Sequence, residues 1–253
     1  MKRWMPLSFC PACRLPSRSV IANLPCEECL ASLLTAPEIC PTCLGFTCLP
    51  TNCTRSWLRI DGADSRLRFD SVTSVYLSIG PGARVLKSWK TSPSPSLNRF
   101  FRSDMKNRLE KFPLEEPLSL VPVPQSASRR WELAGGSAVR VCQMIRDLRK
   151  NPDDRVLDLL EVGPKSTAQA MSQGDERYSR KATIHARADI ARTDIEVDFE
   201  AVPTIILVDD FLTSGSTLRA AAKATREGLG RLGLDLRLHV FVLGFRPALF
   251  DRE

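Results

Sequence analysis

Short apolar runs alternate with helical patterns along most of the chain. Ile205–Val208 is rich in β-branched residues, too short for a helix and suited to a buried parallel strand. Ser74–Ile79, Leu118–Val123 and Leu236–Leu243 predict further strands, and Val156–Leu160 a short one. Pro81-Gly82 marks a turn before a short basic helix over Ala83–Lys90. The Ser92–Ser96 run, with two prolines, breaks it, and Leu97–Phe112 resumes as an amphipathic helix. Gly135–Lys150 predicts another helix, in which Cys142 lies among apolar residues and reads as core. An alanine-rich helix runs from the Thr213–Thr217 turn to about Glu227. Thr54–Asp70 is polar, with scattered apolar anchors, and marks a domain junction.

The strand at Ile205–Val208 leads directly into chemistry. Asp209 and Asp210 follow it, then Thr213-Ser214-Gly215-Ser216-Thr217, then the helix. Such a turn and helix start offer backbone N–H groups and a favourable dipole to a phosphate. The four hydroxyls can donate to the same oxygens. The two carboxylates, at the strand's C-terminal end, can accept hydrogen bonds from sugar hydroxyls. A ligand with phosphate and ribose side by side satisfies both halves. The competing reading is a strand, turn and helix whose Ser and Thr only cap the helix.

Cysteine is concentrated at the amino end: eight of nine lie in the first 53 residues, spaced C-x2-C-x12-C-x2-C-x10-C-x2-C-x4-C-x4-C. Two cysteines two residues apart on a tight knuckle aim both thiolates at one ion. Chain order suggests one structural zinc site from Cys10, Cys13, Cys26 and Cys29, and a second from Cys40, Cys43, Cys48 and Cys53. Interleaved pairing, an Fe–S cluster and a disulfide framework are the alternatives. All-cysteine sites leave no open position, which points to scaffolding or docking rather than catalysis.

Charge adds a candidate surface. The 253-residue chain carries a net charge of +7. Arg84–Lys111 alone has an excess of six positive charges. A solvated helix face is the default for such a run. Lys87 and Lys90 are candidates for reaching a polyphosphate, and Arg129 and Arg130, in the Gln125–Arg130 loop, for charge-assisted contacts. Gly163–Gly174 predicts a mobile loop, with Arg177, Arg180 and Lys181 on a following helix; it is a candidate lid or simply a variable surface loop. No apolar run reaches the roughly 18 residues of a membrane span, so no membrane insertion is expected. The amino end does not read as a signal peptide, and a cytoplasmic location is expected.

VDDFLTSGST at Val208–Thr217 resembles the phosphoribosyl-pyrophosphate (PRPP) motif of type I phosphoribosyltransferases. With the cysteine pairs, LKSWK at Leu86–Lys90, VPVP at Val121–Pro124 and KSTAQAMS at Lys165–Ser172 followed by Arg177, nearly the whole chain resembles the ComF family. The implied fold is α/β, a central parallel sheet of the type I phosphoribosyltransferase kind. The implied domains are a double zinc ribbon over residues 1–54 and a phosphoribosyltransferase-like domain over 55–253. The resemblance also implies PRPP or ribose 5-phosphate as ligand, with Mg2+. Asp209 and Asp210 would hold the ribose hydroxyls, Thr213, Ser214, Gly215, Ser216 and Thr217 the 5′-phosphate, and Lys87, Arg129 and Arg130 the pyrophosphate. Its link to natural transformation implies a second class of function: a non-enzymatic accessory protein of DNA uptake, binding single-stranded DNA or competence-machinery proteins.

Three segments depart from the family. Arg129–Gly136 lacks the usual Arg-Gly-Phe-Asn, a Ser/Pro run follows Lys90 where a glycine is usual, and Gln169 sits one residue nearer the next apolar-Ser pair. Thr213 stands where purine-salvage relatives place a carboxylate, which argues against that chemistry. No general base stands out, and neither acceptor nor oligomeric state is indicated.

Overall fold

A computed structural model describes residues 8–17, 24–44, 69–111, 117–124, 136–163, 184–188 and 204–247. Its centre is a six-stranded, mostly parallel sheet. Four strands make up most of it: β4 (Ser71–Leu77), β5 (Ser119–Pro122), β9 (Thr204–Leu212) and β10 (Arg237–Phe245). With the two-residue strands β3 (Leu34–Thr35) and β6 (Arg155–Val156), the order is β3-β4-β10-β9-β5-β6. Only β3 runs antiparallel to its neighbour.

Side chains on β9 alternate between two cores, as the period of two requires. Ile205 and Leu207 face one core with Val240 and Val242 of β10. Ile206 and Val208 face the other with Phe241 and Leu243. The first core is closed by α5 (Ser216–Gly230), through Leu218, Ala221, Ala222 and Leu229. The second is closed by α2 (Gly80–Thr91), α3 (Pro95–Leu109) and α4 (Gly136–Arg149). In α3, Leu97, Phe101, Met105 and Leu109 recur every fourth residue, and all are buried. Full burial of each such side chain is worth about 1.5–3 kcal/mol. The sheet is thus covered on both faces, which is why its strands read as continuous apolar runs.

Several boundaries differ from the sequence expectation. β4 starts at Ser71, directly after the expected junction and three residues before the expected Ser74, because Asp70 already donates its N–H to Leu238 O (2.8 Å). Pro81 and Gly82 lie in the first turn of α2, where proline's missing N–H costs nothing. The Ser/Pro run ends one helix and starts the next: Ser94 caps α3 by accepting from Leu97 N (3.2 Å). The stretch expected as one strand over Val156–Leu160 is divided: β6 joins the main sheet, and β7 (Leu160–Val162) pairs with β8 (Ile184–Ala186) in a separate hairpin. β9 runs through both aspartates to Leu212 rather than ending at Val208. Cys142 is buried in α4, and burial pushes its thiol well above the usual range, so it is a core thiol.

The amino-terminal cysteine segment adds a small hairpin, β1 (Ser8–Phe9) with β2 (Pro16–Ser17), and a one-turn helix, α1 (Glu27–Ala31). It then contributes β3 to the edge of the main sheet. Among the described residues, no helix is long and apolar enough to cross a membrane.

Candidate functional site

Strand order places the site. The connection from β5 through α4 to β6 runs toward one edge of the sheet. The connection from β9 through α5 to β10 runs toward the other. α4 and α5 therefore diverge onto opposite faces, and β5 and β9 are neighbours. In open α/β sheets a crevice opens outside the carboxyl ends of two such strands, and ligands bind there. The carboxyl end of β9 carries Asp209 and Asp210, and the turn to α5 carries the hydroxyls.

Alternation along β9 puts Asp210 on the side of α2 and α4. Its Oδ2 receives Lys90 Nζ from the end of α2 at 2.6 Å, and the Ser137 hydroxyl at the start of α4 donates to the same oxygen. The ion pair is half-sheltered, with Lys90 24% and Asp210 4% exposed. Lys90 is held over the Phe211 ring, 5.3 Å from its centroid. That ring lies against Gly244 of β10, where a Cβ would come within 2.8 Å of it. Arg140, one turn into α4, stacks on Trp89 at 5.0 Å and donates to Lys90 O at 3.2 Å. Burial lowers its pKa against the pull of Asp210. Asp209 Oδ1 accepts the Asp210 N–H at 2.8 Å. Burial, and then the neighbouring Asp210 charge, push the Asp209 carboxyl well above the usual range. The crevice thus carries an acidic pair with two cations on one side of it.

The turn can offer backbone N–H groups to an anion. Gly215 is the N-cap of α5 at φ 76°, a left-handed conformation natural to glycine. Glycine has no side chain to cap this helix start. Ser214 Oγ lies 3.1 Å from Ser216 Oγ and 3.4 Å from Ser216 N. Thr213 and Ser214 are exposed.

Asp209, Asp210 and the Thr213–Thr217 turn therefore lie together at the carboxyl end of β9, where the strand order reverses. Lys87 is exposed on α2, and Lys90, one turn later, makes the contact to the carboxylates. Arg129, Arg130, the 125–130 loop, the lid candidate with Gln169, and Arg177, Arg180 and Lys181 lie outside the described residues. Ser137 and Arg140 carry no motif, because only the packing of α4 beside β9 brings them to the aspartates.

A second cluster lies in the amino-terminal segment. The sulfurs of Cys10, Cys13, Cys26 and Cys29 all lie within 4.8 Å of one another. Cys13 Sγ and Cys26 Sγ are 3.9 Å apart. Tetrahedral zinc with bonds of ~2.3 Å sets its sulfurs about 3.8 Å apart, so the donor set fits one such ion. Cys10 Sγ accepts the N–H groups of Cys13 (3.5 Å) and Cys26 (3.3 Å). Burial works against ionising Cys10, but these bonds outweigh it and lower its pKa to about 6. Burial and the neighbouring thiols push Cys29 the other way. Ionising all four sulfurs this close together would need a cation between them. None of the described cysteines is disulfide-bonded. Cys40 and Cys43 form a second knuckle, while Cys48 and Cys53 lie outside the described residues.

Fold and site together define a mixed α/β protein with an acid-paired, hydroxyl-lined crevice and a four-cysteine cluster able to hold a metal such as zinc. No protein-family model matches the chain, and no curated protein matches it.

Proposed function

We propose that this chain is a ComF-like protein of the type I phosphoribosyltransferase fold that binds PRPP or ribose 5-phosphate with Mg2+ in the β5–β9 crevice. The observation that carries the reading is the meeting of the Asp209–Asp210 pair and the open start of α5 at the point where the chain reverses its direction across the sheet. The turn would take the 5′-phosphate and the carboxylates the ribose hydroxyls. Mg2+ commonly binds through one or two carboxylates together with substrate phosphates, and the aspartate pair fits that donor set. When bound, it would neutralise charge on a departing pyrophosphate. Lys90 and Arg140 supply positive charge at the same crevice. Transfer would break the C1–O bond, with pyrophosphate leaving with the electron pair and an acceptor's lone pair forming the new bond at C1. The protein's part is to orient, to stabilise charge and to exclude water.

Calorimetric titration tests this. PRPP with Mg2+ is expected to bind saturably and about tenfold or more tighter than ribose 5-phosphate alone, a gain of ~1.4 kcal/mol per tenfold. No saturable heat with either ligand removes the proposal. Pyrophosphate release with a panel of bases and amines separates transfer from binding alone.

A second reading, single-strand binding by an accessory protein of DNA uptake, is favoured by one observation. Between α3 and α4 lies an open cleft of about 550 Å³, lined by Arg102, Arg146 and Lys150, with Asp147 as its acidic residue. Arg102 is held there by Asp147 at 2.6 Å. A phosphodiester backbone suits such a lining. Reversing the charge at Arg102, Arg146 and Lys150 is expected to weaken oligo-dT binding and flatten its salt dependence by about one unit of slope per lost phosphate contact. The same variant is expected to bind ribose 5-phosphate normally. An unchanged salt slope in fluorescence polarisation removes this reading.

A further inference from the structure

Two knuckles in the amino-terminal segment share a pattern, Cys10-Pro11-Ala12-Cys13 and Cys40-Pro41-Thr42-Cys43. They also share a backbone. In each, the residue after the second cysteine donates its N–H to the first cysteine's carbonyl: Arg14 to Cys10 at 2.8 Å and Leu44 to Cys40 at 2.8 Å. In each, that residue is left-handed, at φ 64° for Arg14 and 60° for Leu44. Such a conformation is uncommon for a side chain other than glycine and needs surrounding structure to hold it.

What the two residues do then differs. Arg14 points to solvent, as a residue at the tip of a surface knuckle should. Leu44 is only 5% exposed and belongs to the core that contains Leu212 and Leu218, the residues on either side of the hydroxyl turn. Its Cδ1 lies where a Cβ on Gly215 would come within 2.1 Å. Next to it, Thr42 O accepts from Arg219 Nη2 on the first turn of α5, at 3.3 Å. The second knuckle therefore touches the turn and the helix behind it at two points. The first knuckle packs elsewhere: Cys10 and Ala12 join the opposite core, with Val75 and Val85. Between the two, the chain is clamped to the sheet. Ala36 donates its N–H to Val75 O at 3.0 Å, and Arg108 donates to Ala36 O.

From this asymmetry we infer that Leu44 and Thr42 are positioning residues for the ribose-phosphate turn. The second knuckle is a buttress that holds Gly215 and the start of α5 in their anion-binding conformation. Arg14, its counterpart, has no such part. The inference deepens the phosphate-binding reading above and rests on it. Packed cores switch between arrangements rather than deforming smoothly. Emptying the space under Gly215 lets the turn settle away from the shape that points its N–H groups at the ligand. The loss falls on the phosphate arm, because the knuckle meets the turn and the first turn of α5, while the aspartates sit on β9.

The test compares wild type, Leu44→Ala, Leu44→Met and Arg14→Ala by calorimetry, with ribose 5-phosphate and inorganic phosphate as probes. The Gly215 amide resonance is followed in parallel in the ligand-free proteins. Leu44→Ala is expected to weaken both probes by the same factor, about tenfold, and to shift the Gly215 amide. Leu44→Met, close in volume, is expected to restore affinity to within about twofold. Arg14→Ala is expected to change nothing. Wild-type affinity in Leu44→Ala overturns the inference, as does a Leu44→Met variant as weak as the alanine. If Leu44→Ala does not fold, Arg219→Gln, which removes the Thr42 contact, decides by the same titration, and unchanged phosphate affinity overturns it. A wild type that binds neither probe fails the ribose-phosphate reading itself, which separates the two results.

Discussion

Replacing Asp209 and Asp210 together by asparagine is expected to weaken ribose 5-phosphate binding at least about 100-fold, while Asp209→Asn alone makes the ligand-free protein more heat-stable at neutral pH; Asp210→Asn has no such gain, because it takes the counter-charge from Lys90. Hydrogen bonds from sugar hydroxyls to carboxylates are charge-assisted, each worth about 1.5–3 kcal/mol. Losing two exceeds the ~2.7 kcal/mol of a hundredfold change. The stability gain comes from Asp209. Burial, then the Asp210 charge, raise its pKa in the folded protein. Over the interval between the unfolded value, about 3.9, and the folded one, the native state holds a proton that the unfolded chain has released. The stability linked to that proton is full below the unfolded pKa and is lost as pH rises toward the folded one. An amide does not ionise and escapes the loss. It also keeps the oxygen that accepts the Asp210 N–H. Asp209→Asn alone should therefore melt higher than wild type at pH 7 and equally at pH 3.5, with ~1 kcal/mol read as about 2–4 °C. Thermal melts at the two pH values check the sign. A variant that binds ribose 5-phosphate like wild type would sink the assignment of the pair.

The second large effect is expected at the cysteine cluster. Cys29→Ser should cost one metal ion per chain and release the segment around α1 to proteolysis. Apart from its packing on α2 and the β3 edge, that segment has little regular structure to hold it. α1 is a single turn, far below the ~12–15 residues an isolated helix needs, and the β1–β2 hairpin has only two residues in each strand. Cys10 and Cys29 are buried, so losing the ion also uncovers part of the core against α2. Structural zinc contributes about 10–16 kcal/mol in small peptide sites, enough to decide whether such a module folds. Elemental analysis of purified protein, followed by brief trypsin treatment, measures both effects. Undiminished metal content in Cys29→Ser, or intact Cys10–Cys29 disulfides in wild type, would exclude the site.

The elements that sequence patterning placed well are those whose residues are contiguous. The run from Ile205 to the end of α5 declares its strand, acids, turn and helix in order. The strand continues through Asp210 because β10 stays paired with it as far as Leu212, beyond the end of the β5 pairing at Val208, a fact no local pattern carries. Val156–Leu160 reads as one strand because four of its five residues are apolar. The structure divides it, since β6 is needed at the sheet edge and β7 needs a partner, β8, from more than twenty residues away. β3 was invisible because two residues do not make a pattern. Lys90 stood in the sequence as one basic residue among eight on Arg84–Lys111. Only the packing of α2 against β9 singles it out.

The sequence alone determined two local pieces of chemistry: the acidic pair with its hydroxyl turn, and the cysteine knuckles. Each is a short stretch whose backbone already brings its donors together. The tertiary structure decided what those pieces face. Strand order set β5 beside β9 and opened the crevice between α4 and α5. It brought Lys90 and Ser137 to Asp210 from positions 120 and 73 residues away. It also laid Leu44 of one knuckle against Gly215 and left Arg14 of the other in solvent. Those relations depend on which faces pack together, and packing joins residues whose separation along the chain carries no local signal.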